Sequence, residues 1–310
     1  MSDSLPTISL SKLAAKDPQE LEKLYNVCSG EGFLYLTDHG VPLSIINNAI
    51  KASRHFFELP EETKRQYGQQ HQSVFPNTSR GYSPLGGETL YNKAGPDPKE
   101  LFDFGFDKPP SDQPFTGTTL MPDDSVAPNF ASSLYELQHE IMSKVSPKLL
   151  RGFALALKLK EDWFDKYFND PILIQRVIYY PEKGGKAGKH TDNGIFTVLI
   201  QEPLPSPSLR VFTKESWIDA PCPEGVFVIN LGDMLQLWTN GLFVSTAHEV
   251  IHDLPVTRIS LPFFVYPNID TIIEPFGTDK KISTKEVMLK NFDSIWVSQK
   301  GAGIRVDELK

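Results

Sequence analysis

The spacing of apolar residues in this chain changes once, from the three- and four-residue steps of a helix to the two-residue steps of β-strands. Over residues 129–159, apolar side chains recur at steps of three and four, which is typical of a helix with one face in the core. The stripe consists of Leu134, Leu137, Ile141, Val145, Leu149, Phe153 and Leu157. A bend is expected at Pro147, because proline cannot donate a backbone hydrogen bond inside a helix.

From residue 172 onward the apolar period is two, which is the period of β-strands. Short β-branched or aromatic runs alternate with Gly, Pro or Asn turns at the spacing of a sandwich or barrel. These runs predict strands at 174–180, 195–201, 208–212, 226–230, 234–238, 242–251 and 257–266, with a turn at 184–188. A helical first half followed by many strands indicates an α+β fold with an all-β core late in the chain.

The first third of the chain mixes short elements. Helices are predicted at 18–29 and from Pro42 to Phe57, a strand at 33–36, and a new helix after Pro60. Residues 68–128 are rich in Gly, Pro, Ser and Asn, which favours long binding loops with one ordered stretch around 100–106. The tail, 279–310, is expected to form a helix and an irregular end.

Charge and composition exclude several classes of function. The chain has 31 Lys and Arg against 39 Asp and Glu, a formal charge of −8, which argues against nucleic acid or an anionic membrane as partner. No apolar run approaches the roughly 20 residues of a membrane helix, and the N-terminus lacks the pattern of a secretory signal. Two cysteines, Cys28 and Cys222, are too few for a disulfide framework. We therefore expect a soluble, cytoplasmic protein.

Three residues have the chemistry of a metal site. His190 and Asp192 are two apart and project to one face of an extended segment. His248 lies in the apolar run 243–251. Two imidazoles and one carboxylate form the facial triad that holds ferrous iron and leaves three positions open, although zinc binds the same trio. Taken singly, the residues favour the ordinary explanation: an exposed polar strand end for His190 and Asp192, and a hydrogen-bonded core histidine for His248.

A second set of residues is suited to bind an anion. Arg258 and Ser260 share one face of a predicted strand, and a guanidinium drawn into an apolar barrel calls for a buried anion. A carboxylate ligand or an acidic side chain of the protein satisfies this requirement. By the same parity, Arg176 and Tyr180 share a face of the strand that precedes the His190 loop.

Together these motifs resemble the iron(II)- and 2-oxoglutarate-dependent oxygenases of the isopenicillin N synthase-like family, over nearly the whole chain. The N-terminal motifs are Leu5–Leu10, Gly32–Leu36, Asp38–Pro42, Phe56–Pro60, Arg80–Tyr82 and Lys99–Gly105. The later motifs are His190–Asp192, Ile229–Asp233, Thr239–Gly241, Ser245–His248 and Arg258–Ser260.

The resemblance implies a fold, a domain division and a ligand set. The expected core is a double-stranded β-helix, or jelly roll, flanked by helices, with an N-terminal region at 1–115 and an oxygenase domain at 116–310 whose catalytic core is about 170–275. The implied iron ligands are His190, Asp192 and His248. The implied 2-oxoglutarate residues are Arg258, Ser260, Tyr180 and, from the ethylene-forming branch, Arg176. His39 matches a structural histidine of the family.

The chain also departs from the family pattern at two positions. Ile178 stands where many plant members carry Asn, which removes one polar contact to the cosubstrate. Glu249 follows the third ligand where Arg is commoner, and strand parity directs it away from the metal.

The resemblance further implies a dioxygenase that hydroxylates, desaturates or cyclises a small organic molecule and releases succinate and CO2. Phe264, on the same strand parity as Arg258, is the first candidate for a substrate wall, and Phe104 and Tyr82 are weaker candidates that core packing explains equally well. A same-fold oxidase that uses no 2-oxoglutarate, and a non-catalytic relative that binds a metal or an anion, remain as alternatives. The sequence leaves the substrate and the oligomeric state open.

Overall fold

The structure, a computed structural model, describes residues 4–68, 80–87, 97–109, 113–213 and 215–295. Eight α-helices lie in these ranges: α1 (Leu10–Ala14), α2 (Pro18–Gly30), α3 (Leu43–Phe57), α4 (Glu61–Arg65), α5 (Phe130–Glu140), α6 (Ser146–Ala156), α7 (Asp233–Trp238) and α8 (Thr284–Ile295). The helices predicted at 18–29 and 42–57 are confirmed as α2 and α3. Asp17 begins α2 by accepting hydrogen bonds from the backbone N–H groups of Gln19 and Glu20.

The long predicted helix is interrupted rather than continuous. Between α5 and α6 the chain makes a wide π-helical turn at Ile141–Val145, which ends two residues before Pro147. Proline has no N–H to donate to the preceding turn, and a wider turn accommodates its ring. The apolar stripe itself is confirmed, because Leu134, Ile141 and Leu149 are all fully buried.

The strands form two main sheets and one short ribbon. Strands of the first half are β1 (Thr7–Ser9), β2 (Phe33–Thr37), β3 (Gly81–Ser83) and β4 (Glu100–Phe104). The later strands are β5 (Pro171–Tyr180), β6 (Gly185–His190), β7 (Phe196–Gln201), β8 (Leu209–Thr213), β9 (Ser216–Asp219), β10 (Phe227–Leu231), β11 (His248–His252), β12 (Arg258–Asn268), β13 (Ile272–Ile273) and β14 (Ile282–Ser283). The large sheet has the order β1-β2-β10-β7-β12-β5-β4-β3 and the small sheet the order β6-β11-β8-β9, while β13 pairs with β14.

The expected α+β class with a jelly-roll core is confirmed. One hydrophobic cluster joins the large sheet to the helices, with Phe56, Phe130 and Phe153 among its buried residues. A second, smaller cluster includes Val228 of the large sheet and Val211 of the small sheet, so the two sheets pack face to face. Strands from the first 104 residues extend both edges of the large sheet. The division of the chain at residue 115 stays a prediction.

Three local predictions are wrong. Of the strand expected at 242–251, only 248–251 lies in β11, and 242–247 forms no strand. Residues 234–238 form helix α7 instead of a strand; Met234, Leu235 and Trp238 are buried at helical spacing, and a five-residue apolar run does not distinguish the two periods. Residues 184–188, expected as a turn, lead into strand β6. A Cβ on Gly185 would lie 2.8 Å from the Cβ of Tyr180, so glycine permits this strand to approach β5.

In the part of the chain that the structure describes, no helix is both long enough and apolar enough to cross a membrane.

Candidate metal and cosubstrate site

Three elements bring the predicted metal ligands together. Strand β6 ends at His190, and Asp192 follows in the loop to β7. His248 begins β11 and lies directly opposite His190 in the antiparallel pairing of β6 with β11. Residues opposite each other in such a pair have neighbouring side chains, and the two imidazole centroids are 4.2 Å apart.

The ligand atoms of these residues face one point. Nε2 of His190 and Nε2 of His248 each lie 3.8 Å from Oδ1 of Asp192. One ligand atom from each of the three residues lies within 4.8 Å of the others. Two imidazole nitrogens and one carboxylate oxygen at one corner of a cavity fit a divalent transition-metal ion with open coordination positions.

Backbone carbonyls orient the two imidazoles. Nδ1 of His190 donates to the carbonyl oxygen of Gly188 at 2.6 Å, and Nδ1 of His248 donates to that of Thr246 at 3.2 Å. With the proton held on Nδ1, the lone pair of Nε2 is directed at the shared point. This is the tautomer that a metal-binding histidine requires.

The carboxylate of Asp192 is also held in place. Its Oδ2 accepts hydrogen bonds from Oγ1 of Thr197 at 2.5 Å and from Nδ2 of Asn230 at 2.7 Å. Oδ1 is left to face the imidazoles, so the residues fit monodentate coordination of a metal ion. Sequence reasoning gave neither Thr197 nor Asn230 a role; the available signal was a polar residue in an otherwise apolar strand.

The electrostatics of the site favour the protonation states that bind a metal. Burial, followed by the neighbouring His248, lowers the pKa of His190 below its usual range. Burial acts to raise the pKa of Asp192, but His248, His190 and the two hydrogen bonds outweigh it and lower that pKa. At neutral pH, His190 is therefore neutral and Asp192 ionised, as coordination demands.

The predicted anion site contains a buried guanidinium. Arg258 is 1 % exposed, lies opposite Tyr180 in the pairing of β12 with β5, and has its guanidinium carbon 4.7 Å from the centroid of that tyrosine ring. Its Nη2 donates to Oε1 of Gln201 at 2.5 Å, whereas its Nε and Nη1 have no hydrogen-bond partner. Within the described residues, no acidic side chain forms an ion pair with Arg258. Ser260 is buried two residues further along the same strand.

Two buried donors without a partner point to a missing acceptor, because an unsatisfied buried polar group is costly. Arg258 and Ser260 line the same cavity as His190, Asp192 and His248. A carboxylate placed against the guanidinium would give it a charge-assisted acceptor and a counter-ion. The residues present therefore fit a cosubstrate with one end on the metal and a carboxylate on Arg258.

Three residues with a predicted cosubstrate or substrate role contact other parts of the protein. Arg176 lines the cavity, and a bidentate ion pair with Asp103 holds it, at 2.7 Å from Nε to Oδ1 and 2.8 Å from Nη2 to Oδ2. The proposed substrate residues Phe104 and Tyr82 do not line the cavity and are buried in the large hydrophobic cluster. Phe104 is next to Asp103 on β4 and takes the opposite face, toward the helices, so core packing is its role.

Phe264 lines the cavity, as its strand parity predicts. His39 has a structural setting: one ring nitrogen contacts the carbonyl oxygen of Gly225 at 2.7 Å, and the other accepts from the backbone N–H of Val41. Glu249 forms an ion pair with Arg210 at 3.2 Å.

Comparison with protein families covers both halves of the chain. Residues 5–124 match the family model described as the N-terminal region of non-haem dioxygenases in morphine synthesis. Residues 171–267 match the 2OG-Fe(II) oxygenase superfamily. A homoarginine-6-hydroxylase from Glycine max is 32% identical over 304 residues, which cover 89% of each chain. A 2-oxoglutarate-dependent dioxygenase from Aspergillus niger is 30% identical and covers 78% of this chain and 76% of its own.

Solved structures agree with these matches. Neurospora crassa T7H in complex with alpha-KG and thymine superposes with a TM-score of 0.79 at 25% identity, covering 94% of this chain and 96% of that one. A putative 2OG-Fe(II) oxygenase from Caulobacter crescentus gives a TM-score of 0.77 at 28% identity, covering 94% and 98%. The chain therefore belongs to the Fe(II)- and 2-oxoglutarate-dependent dioxygenases, and the resemblance seen in its motifs is confirmed. It is an oxidoreductase that uses Fe(II) and 2-oxoglutarate to oxidise a small molecule.

Proposed function

We propose that His190, Asp192 and His248 are the iron ligands of this dioxygenase. The observation that carries the proposal is the convergence of their ligand atoms within 4.8 Å, with the second oxygen of Asp192 held by Thr197 and Asn230. Those hydrogen bonds fix one ligand before metal binds, which reduces the cost of ordering the site.

Arg258 is the proposed anchor for the distal carboxylate of 2-oxoglutarate, with Ser260 and Tyr180 beside it. The free Nε and Nη1 of Arg258 support this assignment over an oxidase that takes no keto acid, because a buried guanidinium without a counter-ion is costly. The ring of Tyr180 lies against one face of the guanidinium and fixes its plane, so that a carboxylate is bound at the edge of the group.

When both are bound, iron and 2-oxoglutarate supply the oxidant, with succinate and CO2 as coproducts. The task of the protein is to place one C–H bond of the substrate beside the metal and to exclude water. Apolar side chains in the lining of the cavity suit that task; they include Phe115, Ile174, Phe264, Tyr266 and Met288.

The substrate is a small organic molecule, and the relatives define a range rather than one compound. Their names and titles include homoarginine hydroxylation, a complex with thymine and a complex with JA. We keep hydroxylation, desaturation and ring closure as outcomes for this chain, because one fold supports all of them. A cytoplasmic location also stays a prediction.

The test of the iron and cosubstrate assignment is an anaerobic titration. Protein with Fe(II) and 2-oxoglutarate is expected to develop a visible metal-to-ligand charge-transfer band, which His248→Ala abolishes. His139→Ala is the matched control, since that imidazole is exposed and distant from the triad in sequence. In air, oxygen uptake should match succinate formation one for one. A band of wild-type strength in the His248 variant would overturn the ligand assignment.

A further inference from the structure

We propose that Asp97 is a positioning residue of the metal site, which holds Gly188 in place and through it sets the orientation and the tautomer of His190. The inference rests on the proposed function, because it takes His190 as an iron ligand from it. Asp97 belongs to the first third of the chain and precedes strand β4, whereas His190 ends strand β6. The proposal therefore makes the N-terminal part of the chain a support of the metal centre.

An irregularity in strand β6 exposes the backbone that Asp97 contacts. In the pairing of β6 with β11, the register shifts between His248 and Val250, so that two residues of β6, Gly188 and Lys189, lie opposite one residue of β11. Such a bulge interrupts the hydrogen-bond ladder, and bulges beside active sites redirect a nearby side chain. His190 follows Gly188 by two residues, so the bulge lies where it determines the direction of this imidazole.

Gly188 is held through both of its backbone groups. Its N–H donates to Oδ1 of Asp97 at 3.1 Å, and its carbonyl oxygen accepts from Nδ1 of His190 at 2.6 Å. Gly188 and Asp97 are both buried, so water does not compete well for these groups. Without the carboxylate, the buried N–H would lose its acceptor, and Gly188 would shift to find another. Its carbonyl oxygen would then move relative to the imidazole.

Asp97 is itself fixed by Lys99. Nζ of Lys99 lies 3.4 Å from Oδ2 of Asp97, and the backbone N–H of Lys99 donates to the carbonyl oxygen of Asp97 at 2.9 Å, which forms a tight turn immediately before β4. Asp97 is 3 % exposed and Lys99 is 2 % exposed, so the ion pair supplies the counter-charge that a buried carboxylate requires. Asp97 does not line the cavity. Its effect on a metal ion therefore passes through Gly188.

The expected effect on metal binding is moderate. As long as Nδ1 of His190 donates to Gly188, its Nε2 keeps the lone pair that a metal ion needs. Outer partners of metal-ligating histidines are worth about 10- to 100-fold in metal affinity. Asp97 is one contact further from the metal than the carbonyl of Gly188, so we expect about tenfold, at the lower end of that range.

The experiment compares two double variants that differ in one group. Asp97→Asn/Lys99→Met retains an oxygen that accepts from the N–H of Gly188. Asp97→Leu/Lys99→Met has nearly the same shape and no acceptor. Both variants lack the ion pair, and the methionine avoids a buried lysine without its carboxylate. A difference between them therefore reports the acceptor alone.

The first measurement is the tautomer of His190 in the metal-free protein, from long-range proton–nitrogen NMR correlations that disappear in His190→Ala. The wild type and the Asn/Met variant should carry the proton on Nδ1, whereas the Leu/Met variant should carry it on Nε2 in a substantial fraction of molecules. The second measurement is Fe(II) affinity against a competing chelator. The Asn/Met variant should stay within about threefold of the wild type, and the Leu/Met variant should bind about tenfold more weakly.

A purely structural role of Asp97 would lower the free energy of unfolding and leave the tautomer and the iron affinity of the folded protein unchanged. Asp97→Ala/Lys99→Met, which removes the acceptor with a smaller side chain, should show the same two changes as the Leu/Met variant and serves if that variant does not fold.

Two results would overturn the inference. One is a variant without the acceptor that keeps the wild-type tautomer or the wild-type iron affinity. The other is an Asn/Met variant that is impaired as much as the Leu/Met variant, because the ion pair would then be the group that matters. Failure of the proposed function is distinguishable, since His190→Ala would then leave iron binding intact, whereas the tautomer of the metal-free protein would still report the contact with Asp97.

Discussion

Replacing Gln201 with glutamate tests whether Arg258 is kept charged for the cosubstrate. Oε1 of Gln201 accepts a hydrogen bond from Nη2 of Arg258 at 2.5 Å, and both side chains are buried. Glutamate has nearly the same shape, but it would give the guanidinium a counter-ion within the protein. The distal carboxylate of 2-oxoglutarate would then meet a neutralised pair instead of an available positive charge.

The size of the effect follows from the geometry. Two carboxylates on either side of one guanidinium are about 6 Å apart, and at an effective dielectric constant of about 20 they repel by about 3 kcal/mol. That energy corresponds to roughly 100-fold weaker binding of 2-oxoglutarate. Because the repulsion requires an ionised carboxylate, the deficit of Gln201→Glu should shrink as the pH falls.

The assay is an anaerobic titration of the Fe(II) protein with 2-oxoglutarate at several pH values, followed by the charge-transfer band. In turnover, KM for 2-oxoglutarate should rise while kcat at saturation changes little, since the metal ligands are untouched. Gln201→Met removes the acceptor without adding charge and should weaken binding by less than about tenfold. Wild-type affinity in Gln201→Glu would refute the assignment of Arg258 as the carboxylate anchor.

Three further predictions concern the support of the site and the fold. Thr197→Val removes one of two hydrogen bonds to the metal-ligating carboxylate, and iron affinity measured against a competing chelator should fall about 10- to 100-fold; unchanged affinity would contradict it. Gly232→Ala would place a Cβ 2.2 Å from a backbone oxygen, so the free energy of unfolding measured in urea should fall by about 3 kcal/mol or more. Gly30→Ala is the control: its added Cβ would have no atom within 4 Å, so the free energy of unfolding should change by less than about 1 kcal/mol. Burial lowers the pKa of His39, so the unfolded chain binds a proton there more readily than the folded protein does, and the free energy of unfolding should fall as the pH drops below about 6.5. His39→Gln should flatten this dependence of the unfolding free energy on pH. An unchanged pH dependence in the variant would contradict the prediction.

The helices and the pairing of His190 with Asp192 were predictable because their signals are local or parity-based. Helical spacing extends over several turns in α3, and the pair His190 and Asp192 needs only the two-residue period of an extended segment. That His248 joins them depends on the register of β11 against β6, which no local pattern contains. Resemblance to a family supplied that long-range information.

The remaining misses have the same physical origin. Residues 234–238 form a run too short to separate a strand from a helix, and the structure resolves it as α7. Phe104 was weighed as a substrate residue against core packing; it lies in the hydrophobic cluster, while its neighbour Asp103 faces Arg176. Gln201 received no role, although a buried polar side chain in an apolar strand was a signal that it had a partner.

Anomalous diffraction from crystals grown without oxygen, with Fe(II) and 2-oxoglutarate, tests the central claim most directly. The structure predicts one iron peak within coordination distance of Nε2 of His190, Oδ1 of Asp192 and Nε2 of His248, with the distal carboxylate of 2-oxoglutarate on the guanidinium of Arg258. An iron peak away from these three atoms, or a carboxylate bound elsewhere while Arg258 stays unpartnered, would contradict the account.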